Sequence, residues 1–209
     1  VPGAERLLPE RPFETVPDMM ERRWAEGLQT PRLMLLPSGE DLANEAAAFH
    51  RRNAEHLARW EPPTSIDLGS KQAQRTRLAE FAAATASGTA LHWWLQPNQA
   101  PSILVGHVSL MNIAAGPFQN PVLGYALDSG YQGRGFMSEA LRSVIACALS
   151  PLGGLRRIQA YVWPENVRSL RLLDRLGFER GVARGTFSSS MAPGGIRSCL
   201  HCTNRMRRL

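Results

Sequence analysis

Hydrophobic and polar positions alternate along this chain with two periods. "TPRLMLLP", residues 30–37, is an apolar run closed by Pro37 and predicts a strand. "SGEDLANEAAAFHRRNAEHLARW", residues 38–60, is rich in Ala, Leu and Glu, carries an N-cap candidate at Ser38 or Asp41, and predicts one or two helices. "EPPTS", residues 61–65, breaks that pattern, and helical spacing resumes over 70–86 with Leu78, Phe81 and Ala82. After Ser87-Gly88, "TALHWWLQP" and "SILVGHVSLMNI" read as two strands of a hairpin, and "VLGYALD", residues 122–128, as a third. Met137, Leu141, Val144, Ile145 and Ala148 then share one helical face, with Ser138, Glu139 and Arg142 on the other. "RRIQAYV" alternates as a strand. "ENVRSLRLLDRLG" predicts a helix with Asn166 as N-cap and Gly177 as its stop, and two further strands are expected behind it.

Composition narrows the class without naming a function. The 209 residues suffice for one substantial core, and 44% hydrophobic with 20% charged content describes a globular chain. No run approaches the roughly 18–20 apolar residues of a membrane span, and the first thirty residues hold no apolar signal core. A cytoplasmic protein with no membrane partner is the expectation. Residues 1–28 contain four prolines and no clear period, which predicts an amino-terminal arm preceding one domain over 29–209.

Three cysteines, Cys147, Cys199 and Cys202, imply no disulfide framework. Cys199 and Cys202 flank His201 but lack a second ligand pair. The alternation of Ile196, Ser198, Leu200 and Cys202 reads as a strand, so no metal is expected. The net charge of +6, with Arg205, Arg207 and Arg208 at the end, favours anionic partners, a phosphorylated cofactor or an RNA-bearing particle. A solvated basic surface accounts for the tail equally well.

The sharpest local feature is "LDSGYQGRGFMSEAL", residues 127–141, in which Gly130, Gly133 and Gly135 lie between a strand and a helix. The first N–H groups of such a helix lack intrahelical partners and converge on one point of partial positive charge that suits phosphate. Gly133 and Gly135 allow close backbone approach and Arg134 adds charge. Tight strand-to-helix turns also use glycine for conformation alone. The Gly-Lys-Ser/Thr ending of a P-loop is absent, and Ser138 stands where the dinucleotide pattern needs Gly or Ala, so neither nucleotide fingerprint fits.

"YQGRGFMSEAL" resembles the acyl-CoA pyrophosphate loop of the GNAT superfamily of N-acyltransferases, Gln/Arg-x-x-Gly-x-Gly/Ala, with Gln132 and Gly135 at the first two specified positions and Met137 departing from the small third residue. "NVRSLRLLDRLGF", Asn166 to Phe178, resembles the second family signature, Asn-x-x-Ser followed by a helix ending in Leu-Gly-Phe. "TPRLMLLP", "HLARWEPP" and "VGHVSLMNI…VLGYALD" are similar to the RimJ/RimL branch, the ribosomal-protein-alanine N-acetyltransferases, so the likeness covers about residues 29–209.

The resemblance implies an α/β (α+β) GNAT fold, a central, mixed, mostly antiparallel and splayed sheet flanked by helices. It implies an N-acetyltransferase that uses acetyl-CoA as co-substrate and transfers the acetyl group directly in a ternary complex. By carry-over, backbone at Tyr125 and Leu127 pairs with the pantetheine arm and thioester. Gln132, Gly133, Arg134, Gly135, Phe136 and Met137 hold the pyrophosphate, and Asn166 contacts the pantetheine region. Ser169 stands where the branch has a hydroxyl near the sulfur and is the candidate proton donor, since Leu173 occupies the place of the usual Tyr. Glu61 is the candidate base or recogniser of a cationic amine, Asn112 a candidate for orienting the acceptor, and His107 reads as a satisfied half-buried histidine. With an α-amino pKa of about 7.7–8.0, a water relay is an adequate base.

The expected acceptor is the N-terminal α-amino group of a protein, with ribosome association, in a monomer or homodimer. Small amines such as aminoglycosides or polyamines are the alternative acceptors. A catalytically silent acyl-CoA-binding regulator is the alternative class.

Overall fold

The computed structural model describes residues 27–113, 121–150 and 155–181, and the backbone of 200–205. Most of the amino-terminal arm, and Ile196, Ser198, Cys199, Arg207 and Arg208, lie outside the described residues.

Strands β1 (Leu28–Gln29), β2 (Leu33–Pro37), β3 (Leu91–Pro97), β4 (Gly106–Met111), β5 (Val122–Leu127), β6 (Arg157–Val162), β7 (Glu179–Gly181) and β8 (Leu200–Arg205) form one sheet in the order β1-β2-β3-β4-β5-β6-β8-β7. Every pairing is antiparallel except β5 with β6. Helices α1 (Ala43–Ala58), α2 (Lys71–Ala86), α3 (Phe136–Ala148) and α4 (Val167–Arg175) complete the fold.

Strand β3 shows how the layers arise. Its alternation is hidden because both faces are covered, which makes "LHWWL" buried throughout. Leu91, Trp93 and Leu95 join a core with the apolar stripes of α3 and α4, whereas Trp94 joins a second core with Phe49, Leu57 and Ala46 of α1 and Leu78 of α2. The helix α3 buries Met137, Leu141, Val144, Ile145 and Ala148, the stripe that its spacing predicts.

Strand β4 pairs with β5 over six residues, from Gly106 opposite Leu127 to Met111 opposite Val122. The parallel pairing of β5 with β6 is confined to Val122 opposite Gln159, beside a bond from the Gln159 N–H to the Pro121 carbonyl of 3.0 Å. Beyond Val122 the two strands part, so the β6-facing edge of β5 forms no ladder as it runs toward the glycine turn. This is the expected splay.

Three expectations shift in detail. The first helix has no side-chain N-cap at Ser38 or Asp41, and a 3-10 turn at Glu40–Leu42 leads into α1. Residues 102–105 lie outside the β4 ladder although Leu104 and Val105 are buried, so strand runs only over 106–111. Ala82 faces solvent on α2 instead of joining Leu78.

Candidate functional site

At the end of β5, Asp128 turns the chain into a 3-10 turn at Ser129–Tyr131 and accepts the Gly130 N–H at 2.9 Å. Helix α1 fixes the same point. Asn53 donates to Asp128 at 3.0 Å and accepts the Ser129 N–H at 3.0 Å, and Arg52 donates to Asp128 at 2.5 Å and to the Leu104 carbonyl. Burial would raise the Asp128 carboxyl, but the Asn53, Arg52 and Gly130 donors outweigh it and hold the group below the usual range.

From this anchor the glycine turn follows. Gly133 and Gly135 have φ of 75° and 79°, the left-handed region open to glycine at little cost, so conformation does demand both residues. Among the described residues, a side chain at Gly133 would meet no atom within 4 Å, which leaves the space beside the turn open to them. Gly135 is the N-cap of α3 and has no side chain with which to cap it. Among the described residues, the N–H groups from Gly133 to Ser138 have no protein acceptor, and the first helical bond is from Glu139 to the Gly135 carbonyl at 3.0 Å. Such a set of convergent donors fits a diphosphate. Arg134 lies over the Tyr131 ring at 5.4 Å, and Met137, which departs from the motif, points into the core.

Gln132 bridges two helices across the turn. Its amide nitrogen lies 2.8 Å from His56 Nε2 on α1, and its carbonyl accepts from Arg168 on α4. On α4 the Asn166 side chain caps the helix by accepting the Ser169 N–H at 3.1 Å. Ser169 Oγ and the Tyr125 hydroxyl are hydrogen-bonded to each other, which joins the splayed strand to α4. Leu173, one helical turn further, is fully buried and carries no proton.

Glu61 lies just past α1, where its N–H donates to the Leu57 carbonyl at 3.0 Å, and the neighbouring Trp60 carbonyl accepts from Trp163 Nε1 at 3.2 Å. Burial raises the Glu61 carboxyl, and Arg77 of α2 partly offsets this. Asn112 is exposed, with φ of 58°, at the far end of the β4–β5 ladder from Leu127, so the structure does not gather it with the turn.

His107 differs from its expected satisfied state. Its two ring nitrogens are buried without a hydrogen-bond partner among the described residues, and it stacks on His92 with ring centres 5.2 Å apart. His50 lies 6.4 Å away and Phe81 stacks on His92 at 4.0 Å. No group of three His, Cys, Asp or Glu residues suited to a metal ion is found among the described residues.

Sequence reasoning missed Arg52, Asn53, His56, Asp128, Arg168 and the Arg32–Glu139 pair. Each partner set spans at least 36 residues of sequence, so no local pattern could mark it.

Residues 32–179 match the family model described as "Acetyltransferase (GNAT) domain". The [Ribosomal protein uS5]-alanine N-acetyltransferase of Escherichia coli (strain K12) is 30% identical over 154 residues, which cover 73% of this chain and 78% of that protein. The structure of the ribosomal-protein-S5-alanine acetyltransferase of Vibrio fischeri superposes with a TM-score of 0.78 at 25% identity, covering 86% of this chain and 96% of that one. Mycobacterium smegmatis RimJ, solved with CoA-disulfide, shares the fold at a TM-score of 0.72 and 22% identity, over 83% and 81% of the two chains. A domain match across most of the chain, on a splayed sheet whose diverging strand leads into an open glycine turn, means that this protein belongs to the GNAT acetyltransferase family and is an N-acetyltransferase.

Proposed function

We propose that the protein transfers an acetyl group from acetyl-CoA to the N-terminal α-amino group of a protein, with an alanine-initiated ribosomal protein as acceptor. The observation that carries the cofactor half is the row of N–H groups from Gly133 to Ser138 that have no acceptor among the described residues, just past the stretch of β5 that lacks a β6 ladder. The likeness to a uS5-alanine acetyltransferase supports the acceptor, and a net charge of +6 suits approach to an anionic ribosomal particle.

In this reading the turn binds the diphosphate, and the β5 backbone at Tyr125 and Leu127, past the single β5–β6 pairing at Val122, aligns the pantetheine arm. Attack by the neutral amine forms the amide bond and breaks the thioester, which leaves a thiolate that needs a proton and an ammonium that must lose one. Ser169 gives its hydroxyl proton to the sulfur, and its partner Tyr125 can replace that proton through the bond between them. Asn166 supports this by capping the helix that carries Ser169. Glu61, whose carboxyl is raised by burial, receives the amine's proton directly or through water. Asn112 contacts acceptor residues away from the reacting atoms. The catalytic domain spans residues 29–209.

Calorimetric titration of acetyl-CoA into the wild type and Gly135→Glu tests the cofactor half. Glutamate would place a carboxylate among the donors and force a side chain into left-handed backbone. Saturable binding that the variant loses is expected, and no binding to folded wild type overturns the reading. For the acceptor half, Ala-initiated peptides should gain one acetyl group by mass spectrometry. Acetylation of polyamines or aminoglycosides alone would refute it.

A further inference from the structure

The uncapped start of α3 poses an electrostatic problem. Glu139 lies in the first turn of that helix, where a carboxylate ordinarily reaches back toward the free N–H groups and is favoured by the helix dipole. Left there, it would occupy the donors that a phosphate needs and would repel the phosphate. It is drawn away instead. Thr30 Oγ1 donates to Glu139 Oε1 at 2.6 Å, the Arg32 N–H donates to the same oxygen at 2.8 Å, and Arg32 Nε donates to Oε2 at 2.6 Å. Burial acts to raise the Glu139 carboxyl, but these donors prevail and hold it ionised below the usual range.

The same guanidinium reaches the turn. Arg32 Nη1 donates to the Arg134 carbonyl at 2.9 Å, between the two left-handed glycines, and the guanidinium lies 4.7 Å above the Phe136 ring. Its Nη2 stands 3.4 Å from where a Cβ on Gly135 would be. One side chain from the residue just before β2 therefore engages the turn backbone, the first aromatic ring of α3 and the competing carboxylate.

We propose that Arg32 is a positioning residue for cofactor binding, which holds the turn in its ligand-ready shape and sequesters and neutralises Glu139 so that the N–H groups stay available to phosphate. This rests on acetyl-CoA being the ligand of the turn. The role is electrostatic as well as mechanical, and that makes it separable from plain structural support. Removing Arg32 releases a negative charge beside the phosphate site, and neutralising that charge should restore part of what was lost. A structural brace predicts the opposite, because a second substitution would loosen the turn further.

The test measures acetyl-CoA affinity by calorimetry, with steady-state kinetics, for wild type, Arg32→Met, Glu139→Gln, the double variant and Arg32→Lys. Arg32→Met should weaken binding about tenfold while kcat at saturating acetyl-CoA stays within about twofold. The double variant should bind acetyl-CoA more tightly than Arg32→Met, and Glu139→Gln alone at least as tightly as wild type. Arg32→Lys should fall between, since an ammonium cannot serve both Glu139 and the Arg134 carbonyl as the planar fork does. Equal affinity of Arg32→Met and wild type overturns the proposal, as does a double variant that binds more weakly than Arg32→Met. If Arg32→Met does not fold, weakened binding by Glu139→Gln overturns it. Failure of the wild type itself to bind acetyl-CoA removes the cofactor reading and this proposal together, whereas wild-type binding with any of these overturning patterns removes only the role of Arg32.

Discussion

Acidification from pH 7 to pH 5 should destabilise this protein through three buried imidazoles between the sheet and α1–α2. Burial, with Arg77 adding a nearby positive charge, lowers His50 to about 4 and His92 to about 3. His107 is driven well below 6.5 by burial and by the charges of its neighbours His92, Arg77 and His50. His50 and His92 are neutral in the folded protein at pH 5 and His107 is shifted the same way, whereas in the unfolded chain all three titrate near 6.5. The unfolded state then binds more protons, so stability falls as pH falls below 6.5 and levels off only near the folded values. At pH 5, about 1.5 units below the unfolded value, His50 and His92 each cost about 2 kcal/mol and together about 4 kcal/mol, and His107 acts in the same direction. That is a large share of the ~5–15 kcal/mol of a typical domain. Glu61 opposes it slightly, because its raised carboxyl takes up a proton more readily in the fold. Asp128 and Glu139, both lowered, contribute only near and below the ordinary carboxylate range of about 4. Urea unfolding followed by Trp fluorescence suits the measurement, since Trp93 and Trp94 are only 1% and 2% exposed. His107→Leu sharpens the test, because the wild-type ring buries two unpartnered nitrogens. The variant should gain about 1–3 kcal/mol at pH 7 and lose less stability than wild type between pH 7 and pH 5. Equal wild-type stability at the two pH values would refute the reasoning.

Ser169→Ala should lower kcat about a hundredfold, the low end for loss of a general acid, while the KM for acetyl-CoA changes little. Unchanged kcat in a stopped-assay time course would remove the Ser169 hydroxyl from the chemistry and leave the proton to Tyr125 or water. Asn53→Ala should lower stability by about 1–3 kcal/mol in a thermal melt, because the side chain joins the Phe49 carbonyl, Asp128 and the Ser129 N–H in one buried cluster. A melt identical to wild type would show that α1 does not anchor the end of β5.

What the chain order reveals follows from the range of the forces involved. The stripe of α3 was legible because one face packs on the sheet along its whole length, and the Asn166 cap and Gly177 stop because each acts within a few residues. Ser38 shows the limit. It has the right chemistry for a helix cap, yet its hydroxyl lies 2.6 Å from His92 Nδ1, 54 residues away, and α1 begins without a side-chain cap. The glycine turn divides between the two cases. Its glycines mark where the backbone must turn left-handed, so the candidate site was found from local pattern. The nearby Glu139 carboxylate is held by Arg32, 107 residues away, and nothing in the spacing of either residue encodes that. On the proposed reading, local sequence marks the place for a phosphate, while the long-range contact from Arg32 holds the Glu139 carboxylate away from it.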